Sequence, residues 1–287
     1  MKLLNIGCGN HFHPAWINID LVAQSPDVIE SDLTRGLPLE DESMDAVYHS
    51  HVLEHLSPND AEVFLRECQR VLKPGGVLRV VVPDLEDIAR HYLSSLESAS
   101  QNDDPIVQAN HRWMMLELVD QMVRIRTGGE MGAVLQDQET ENKAFVQSRV
   151  GMEWVLEDVP KSQPQSKRRR TLRMRLKKLF RKCQKAATRA AVFILSGRRG
   201  VAALDEGLFR QSGEVHRWMY DRVSLARLLE SIGFDEPLCC SAIESRIQSF
   251  AEYQLDCVST QVRKPDSLFV EALKPARAAS ASERRAA

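Results

Sequence analysis

Two glycines and an acid near the amino terminus have the types and spacing of a ligand site. Gly7 and Gly9 interrupt an apolar run that begins at Leu3, and Asp20 follows eleven residues after Gly9. Glycine lets the backbone approach a ligand closely, and an acid at the end of the next strand can accept hydrogen bonds from both hydroxyls of a ribose. Ordinary turns also contain glycine, so the pattern indicates a nucleoside site only in the context of the segments that follow.

Four histidines form a second group that could do chemistry. His51, His55 and His216 are candidates for a general base, because imidazole titrates near neutral pH. The spacing from His49 through His51 to His55 also matches that of some metal ligands, but Leu53 stands where binuclear zinc hydrolases need an aspartate. We therefore expect no metal. A structural hydrogen bond remains the alternative for each histidine.

Short β-like runs lie just before these polar residues. The sequence predicts strands at residues 3–6, 16–21, 28–33, 45–50 and 77–82, and a helix at 59–72. Asp20, Asp32 and His49 would then lie at or near the carboxyl ends of successive strands. In a doubly wound parallel sheet these ends share one edge, where ligands bind. The pattern favours an α/β nucleoside-binding fold.

Several segments in this order resemble class I S-adenosylmethionine-dependent methyltransferases of the type 11 kind. They are LNIGCG at 4–9, SDL at 31–33, MDAVYHSHVLEH at 44–55 and RVLKPGG at 70–76. The resemblance implies a Rossmann-like, doubly wound, seven-stranded, mostly parallel sheet with an antiparallel last strand, and a helical insertion between strands five and six. The chain departs from the family pattern at Asn5 and His11, and we expect no helix before strand one. We expect the insertion to supply the cover over the site.

The same resemblance implies S-adenosyl-L-methionine as cofactor. Asp20 would bind its ribose, Asp32 its adenine edge with Leu33 against the ring, and the backbone at His49 and Ser50 its methionine part. The full set of expected cofactor residues is Asn5, Gly7, Cys8, Gly9, Asp20, Leu21, Asp32, Leu33, His49 and Ser50.

Three later motifs are similar to those of predicted methyltransferases from polysaccharide-synthesis gene clusters. They are DQMVR at 120–124, GGEM at 128–131 and HRWMYD at 216–221. This resemblance implies O-methylation of a sugar or of a glycolipid precursor. Two alternatives stay open: an RNA or protein methyltransferase, and a binding protein that keeps the fold without catalysis.

Composition predicts a cytosolic globular protein. Apolar residues make up 43% and charged residues 27% of the chain, and its six cysteines contain no CxxC pair. We see neither a signal peptide nor a membrane span. We expect the cofactor-binding half at 1–98, a helical insertion at 99–211, the rest of the methyltransferase domain at 212–275 and a disordered tail at 276–287.

Charge is distributed unevenly. Residues 159–204 contain fifteen Lys and Arg but no Asp or Glu, in a chain of net charge −2. An apolar stripe runs through the basic segment 167–195, which favours a peripheral contact with an anionic membrane face. Contact with nucleic acid is less favoured, because the segment has only two aromatic residues. A solvated helix without a partner is the third interpretation.

Overall fold

The computed structural model describes residues 1–23, 25–137, 139–152 and 172–276. Its centre is a seven-stranded sheet with strand order β3-β2-β1-β4-β5-β9-β6. The strands are β1 (Leu3–Ile6), β2 (Ile17–Asp20), β3 (Val28–Glu30), β4 (Met44–Ser50), β5 (Leu72–Pro83), β6 (Asp235–Cys240) and β9 (Ser267–Leu273). Strands β1 to β5 pair in parallel, whereas β9 is antiparallel to both β5 and β6. The prediction of a doubly wound, mostly parallel seven-stranded sheet is confirmed.

Seven helices surround or extend this sheet in the described residues. They are α1 (Pro58–Val71), α2 (Leu85–Gln101), α3 (Pro105–Val123), α4 (Gly129–Gln136), α5 (Lys143–Val150), α6 (Leu172–Arg210) and α7 (Arg222–Ile232). Local signals define their starts. Ser57 caps α1 by accepting from the amide of Asp60, with Pro58 at the first helical position. Asp221 caps α7 in a capping box with Ser224.

The two faces of the sheet are covered differently. Helices α1 and α7 pack on one face, where Phe64, Leu65 and Leu225 are buried against the strands. The other face is covered largely by the segment between β6 and β9, whose Phe250 and Leu255 join Trp16 in a second cluster. A short hairpin, β7 (Cys257–Val258) and β8 (Gln261–Val262), lies in that segment. The hairpin was not anticipated from the sequence.

The region between β5 and β6 contains a small core of its own. Trp113, Met131 and Val146 are buried there together. Arg149 joins α5 to α3 and α2, through Glu117 at 2.5 Å and Asp87 at 2.7 Å. Helices α3, α4 and α5 lie within the stretch expected to be helical, 99–211, of which residues 153–171 lie outside the described residues.

Helix α6 bends back on itself at Gly197, whose φ of 61° and ψ of −158° are not helical. Arg189 and Asp205 pair at 2.9 Å across the bend, so the two arms lie side by side. Phe193, Ile194 and Leu195 precede the bend, and Ile194 and Leu195 are 81% and 84% exposed. Of the basic segment, residues 167–171 fall outside the described chain, as does most of the predicted tail, 277–287.

Two boundary differences affect the site. Strand β3 ends at Glu30, and a short 3₁₀ helix forms at Leu33–Arg35, so Asp32 lies in a loop rather than in a strand. Strand β5 already begins at Leu72, whereas the sequence predicted a strand only from residue 77, so the strand includes the Lys-Pro-Gly-Gly run at 73–76. Among the described residues, no helix combines the length and apolar character that a membrane crossing requires.

Candidate functional site

The loop after β1 is shaped by two glycines in the left-handed region. Gly7 has φ 66° and Gly9 has φ 52°. A Cβ on Gly7 would lie 2.3 Å from a methyl carbon of Val52, whereas a Cβ on Gly9 would meet nothing within 4 Å. Gly7 is therefore required by packing inside the protein. Gly9 turns an open backbone face outward, as a site for close approach of a ligand requires.

Asp20 holds this loop at the carboxyl end of β2. Its Oδ2 accepts a hydrogen bond from the amide of Gly9 at 2.8 Å, and its Oδ1 accepts one from the amide of Val22 at 3.0 Å. The carboxylate stays partly exposed, beside the outward-facing apolar side chains of Leu21 and Val22. An acid with spare lone pairs beside an apolar surface fits the ribose and base of a nucleoside.

Cys8 lies inside the same loop. It is buried, and burial first and Asp20 second raise the pKa of its thiol to about 11. The thiol is therefore protonated at neutral pH and is a poor nucleophile.

Asn5 and His49 lie beneath the sheet edge rather than on it. The Nδ2 group of Asn5 donates to the carbonyl of His11 and to Oδ1 of Asn18, both at 3.2 Å. The ring of His49 is fully buried against Phe64, 5.1 Å between centroids. Burial lowers the pKa of His49 to about 4. The side chains of Asn5 and His49 thus support the loop and the core, which leaves only their backbone for a ligand.

The remaining expected cofactor residues lie along the same edge. Asp32 follows β3, and its carboxylate pairs with Arg35 at 3.3 Å. Leu33 packs against the main core, and Ser50 ends β4 next to Val81 of β5. The structure therefore brings Gly7, Cys8, Gly9 and Asp20 together through direct contacts. Asp32 and Leu33 stand on the neighbouring loop.

The three histidines proposed as bases meet around one buried carboxylate, Glu54. We call His51, Glu54, His55 and His216 the His–Glu cluster. Atom Oε1 of Glu54 lies 3.1 Å from Nδ1 of His51 and 4.0 Å from Nε2 of His55. The rings of His55 and His216 are 4.8 Å apart at 81°.

Two parts of the chain build this cluster. His51 directly follows β4 with φ 54°, and Glu54 and His55 lie in the 3₁₀ helix Leu53–His55. His216 is brought in by backbone hydrogen bonds: its amide donates to the carbonyl of Gln121 at 2.9 Å, and the amide of Arg217 donates to that of Glu54 at 2.7 Å.

The cluster is electrostatically asymmetric. Burial opposes ionisation of Glu54, but the surrounding histidines, His51 foremost, outweigh it and lower the pKa of this carboxyl to about 2. Burial lowers the pKa of His55, and lowers that of His216 to about 3. At neutral pH a carboxylate therefore faces two neutral imidazoles.

Buried polar atoms without hydrogen-bond partners are concentrated here. Within the described residues they include both carboxylate oxygens of Glu54, Nδ1 of His216, Nε of Arg124 and the hydroxyl of Tyr220. Nδ1 of His51 contacts Oε1 of Glu54 at 3.1 Å. Burial, and then the charge of Glu54, raises the pKa of Tyr220 to about 12. Such groups are costly unless something else engages them.

The three later motifs pack into one unit against the cluster. Oδ1 of Asp120 accepts from the amide of Glu130 at 2.8 Å, and a Cβ on Gly129 would lie 2.2 Å from its Oδ2. Arg124 donates to the carbonyl of Glu214 at 2.5 Å, just before His216. A cavity of about 480 Å³, lined by Met122, Gly207, Arg210, Gln211, Val215, His216 and Arg217, opens beside the unit.

Sequence reasoning missed Glu54 and Ser267 as members of the site. Oγ of Ser267 lies 3.0 Å from Nε2 of His51, across 216 residues of sequence. One signal could have found Glu54, because it is a lone charge within the apolar run around Leu53. Nothing local marks Ser267.

The comparisons with known proteins agree with this geometry. Residues 8–80 match the model of a Methyltransferase domain family. A Mycolicibacterium smegmatis protein named as a probable S-adenosylmethionine-dependent methyltransferase is 50% identical over 48 residues, which cover 17% of this chain and 18% of that protein. This chain thus matches less than a fifth of that relative's length.

Solved structures give weaker likenesses. An S-adenosylmethionine-dependent methyltransferase from Archaeoglobus fulgidus aligns at a TM-score of 0.37 with 14% identity, covering 95% of this chain and 86% of the other. One from Mesorhizobium loti aligns at 0.24 with 19% identity, covering 29% and 47%. Residues 8–80 are therefore similar to a methyltransferase domain, and this part of the chain contains β2, Gly9 and Asp20 of the candidate site.

Proposed function

We propose that this protein transfers a methyl group from S-adenosylmethionine to an oxygen of a sugar or glycolipid precursor. The observation that carries the proposal is the shared location of two sites. The open glycine loop with Asp20 follows β1 and β2, and the His–Glu cluster follows β4, so both lie at the carboxyl edge of one parallel sheet. Methyl transfer needs the donor and the acceptor side by side.

The residues at the glycine loop fit the cofactor. Gly9 offers an open backbone face and Asp20 a partly exposed carboxylate for the ribose hydroxyls. Asp32 would lie near the adenine edge, with Leu33 against the ring. S-adenosylmethionine, when bound, supplies an electrophilic methyl group on a sulfonium ion. The protein then contributes mainly orientation, exclusion of water and removal of the acceptor's proton.

His51 is the best placed of the three histidines to take that proton. Its Nδ1 faces the carboxylate of Glu54, which favours the proton on that nitrogen, and its Nε2 already lies within hydrogen-bond distance of the hydroxyl of Ser267. In the proposed step the acceptor O–H bond breaks toward Nε2. The O–CH₃ bond forms as the S–CH₃ bond breaks, and the sulfonium becomes a neutral thioether.

The acceptor class rests on the resemblance of the three later motifs to polysaccharide-cluster methyltransferases. Their packing into one unit beside the His–Glu cluster supports a common role on the acceptor side. The cavity lined by His216, Arg210 and Arg217 offers a volume for part of an acceptor.

We further propose a peripheral contact with the inner membrane face through the bend of α6. Exposed Phe193, Ile194 and Leu195 stand at the tip of the helical hairpin, with the exposed Arg198 and Arg199 next to them. Apolar groups beside basic ones are typical of segments that lie in an anionic membrane surface. Such a contact would hold the enzyme near lipid-linked acceptors.

Calorimetry with S-adenosylhomocysteine tests the cofactor site. We expect the full chain to bind it and Asp20→Ala to lose that binding. Asp27→Ala, which removes an exposed carboxylate at the amino end of β3, should bind as the wild type does. Absence of binding by the wild type would remove the methyltransferase proposal altogether.

Methyl-labelled cofactor identifies the acceptor class. The protein is incubated with glycolipid, RNA and protein fractions of cells, and we expect label in the glycolipid fraction. Label in RNA or protein would instead support the alternative acceptors. Cofactor binding without label in any fraction would support a binding protein without catalysis.

Co-sedimentation with liposomes tests the membrane contact. Anionic vesicles should carry down the wild type, and both Ile194→Gln/Leu195→Gln and removal of residues 167–189 should weaken this. Leu208→Gln, on the second arm of α6 and 43% exposed, is the matched control. Equal sedimentation of all four proteins would overturn the membrane contact and leave the catalytic proposal intact.

A further inference from the structure

Glu54, His55 and His216 offer three ligand atoms that lie within 4.8 Å of one another. Zinc binds imidazole nitrogen and carboxylate oxygen at about 2.0–2.2 Å, so tetrahedral ligands stand roughly 3.3 Å apart. Metal binding would draw the three atoms together from this wider spacing. This set differs from His49, His51 and His55, whose spacing in the sequence resembled that of metal ligands, because Glu54 and His216 take the place of His49 and His51.

The hydrogen bonds around the cluster leave its inward-facing atoms as electron-pair donors. Nδ1 of His55 lies 3.3 Å from the carbonyl of Val215, an acceptor, so the proton of a neutral ring belongs on Nδ1. Nε2 then presents a lone pair toward the carboxylate of Glu54, 4.0 Å away. Two electron-pair donors facing each other across a buried gap are stabilised by a cation between them.

The unpartnered atoms agree with this interpretation. Glu54 is fully buried and His216 is 4% exposed. Within the described residues, both carboxylate oxygens of Glu54 and Nδ1 of His216 lack a hydrogen-bond partner. A buried carboxylate without hydrogen-bond donors destabilises the folded protein by roughly several kcal/mol, unless a cation compensates its charge. His51 does not remove the need, because its Nδ1 contacts Oε1 only and Oε2 stays unengaged.

We propose that Glu54, His55 and His216 form a binding site for a divalent transition-metal ion, zinc being the ion that this donor set suits best. Two imidazoles and one carboxylate are the protein ligands of several catalytic zinc sites, which keep a fourth position open. His216 also lines the cavity of about 480 Å³, so an open position has a route to ligands from that side.

The chemical consequence of the metal rests on the proposed function, whereas its binding does not. A bound ion beside His51 would take the acceptor oxygen as fourth ligand and make its hydroxyl more acidic. Oxygen acceptors would then be favoured over nitrogen acceptors without a hydroxyl. The carboxylate of Glu54 would then serve both His51 and the ion.

The full chain is first treated with a chelator to remove bound metal, and the chelator is then removed. Titration of this protein with metal tests the site without any cofactor or acceptor. We expect one Zn²⁺ per chain by calorimetry, and with Co²⁺ the visible absorption of a four-coordinate ion with nitrogen and oxygen ligands. Loss of a residue that only supports a metal ligand usually weakens metal binding by about 10–100-fold. Glu54→Gln and His216→Asn should each weaken zinc binding by more than that.

His91→Asn is the matched control, because it removes another histidine beside a carboxylate, 3.2 Å from Asp87, on the exposed side of α2. Its zinc affinity should equal that of the wild type. Circular dichroism of each variant separates ligand loss from unfolding. If the wild type binds no stoichiometric metal, or if Glu54→Gln, folded, binds it as tightly as before, there is no metal site here.

Binding of S-adenosylhomocysteine, measured on the same samples, keeps the two proposals apart. Zinc binding without cofactor binding would retain the metal site and remove the methyltransferase. Cofactor binding without zinc binding would retain the methyltransferase and remove the metal site.

Discussion

At the scale of single residues, two neighbouring glycines have different roles: Gly7 is required by packing inside the protein, whereas Gly9 leaves open space for a ligand. Gly7 and Gly9 have nearly the same backbone conformation, but only Gly7 has a neighbouring side chain where a Cβ would go. The difference allows a substitution to test ligand approach with little disturbance of packing.

Gly9→Ala should fold, at a cost of about 1–2 kcal/mol for a side chain in the left-handed region. Its affinity for S-adenosylhomocysteine should fall by roughly tenfold to a hundredfold, because the added methyl fills space that the ligand needs. Gly75→Ala is the matched control. Gly75 has φ 78° and open space around it, but lies at the amino end of β5. Equal cofactor affinities for the two variants would contradict the proposed path of the ligand.

His51→Asn should lower the rate of methyl transfer by about 10²–10⁴-fold, the usual contribution of a general base. Asparagine tolerates the positive φ of this position, so folding and cofactor affinity should change little. His111→Asn removes a histidine that contacts a serine hydroxyl elsewhere, Ser95 at 3.3 Å, and should leave the rate unchanged. A variant rate within threefold, roughly, of the wild type would exclude His51 as the base.

His49 predicts a pH dependence of stability. Its pKa is lowered to about 4 by burial, against 6.5 for an exposed imidazole, with Glu54 opposing the shift and Phe64 packed on the ring. Between these values the unfolded chain binds a proton that the folded chain does not, so stability falls as the pH falls. The slope is about 1.4 kcal/mol per pH unit, or about 2 kcal/mol between pH 6.5 and 5.

Urea denaturation at several pH values measures this slope. His49→Leu should lose that part of the acid sensitivity, while Glu54 and the other buried histidines keep theirs. An unchanged slope in the variant would show that His49 is protonated equally in the folded and unfolded states.

At the scale of elements, strand β5 carries a charge into the centre of the protein. Arg79 is fully buried, and it pairs with Asp256 and with Glu271 at 2.8 Å each. Its guanidinium also lies 4.5 Å from the ring centre of Phe250. Asp256 accepts a further hydrogen bond from the hydroxyl of Tyr48 at 2.6 Å. This network joins β4, β5 and β9 to the irregular segment that covers one face of the sheet.

Asp256→Ala should destabilise the protein by about 3–5 kcal/mol, because it leaves a buried guanidinium short of a countercharge. Glu236→Ala is the control. It removes the partner of Arg246 in an exposed pair at 3.1 Å, which should cost less than about 1 kcal/mol. Chemical denaturation compares the two. Similar losses would mean that water reaches Arg79 in the native state.

The elements that the sequence predicted well are those with local signals. Continuous apolar runs and the acid after β2 specify the parallel half of the sheet, and the stripe with Phe64 and Leu65 specifies α1. The cover of the other face was not predictable. It is built from short irregular turns and a hairpin with two-residue strands. Contacts with Arg79 and Trp16, which are far away in sequence, fix the positions of these elements.

The site divides in the same way. Gly9 and Asp20 are separated by one strand and are joined by a hydrogen bond of 2.8 Å, so their meeting followed from spacing. The meeting of His216 and Ser267 with His51 depends on the tertiary path through α3 and β9. The local spacing of residues in the sequence does not predict such long-range contacts. The expected domain limits and the cofactor contacts of the side chains remain predictions.

At the scale of the whole molecule, the insertion carries both proposed specificities. Its helix α3 contacts the His–Glu cluster where the carbonyl of Gln121 accepts from the amide of His216, and its α6 hairpin carries the exposed apolar residues around Ile194. In the proposed function the sheet would supply the donor site and the insertion the acceptor side. Exchanging the insertion between related enzymes should then change the acceptor and keep cofactor binding.

The buried pair partners of Arg79 have a consequence for synthesis on the ribosome. Asp256 and Glu271 are translated 177 and 192 residues after Arg79. Until they emerge, the guanidinium has no countercharge, and β9 is missing from its place between β5 and β6. Before β9 is made, the first five strands would form an incomplete sheet whose β5 edge is exposed, a state prone to aggregation. Ribosome-bound chains arrested before Asp256 should be protease-sensitive, and chains released after Glu271 resistant.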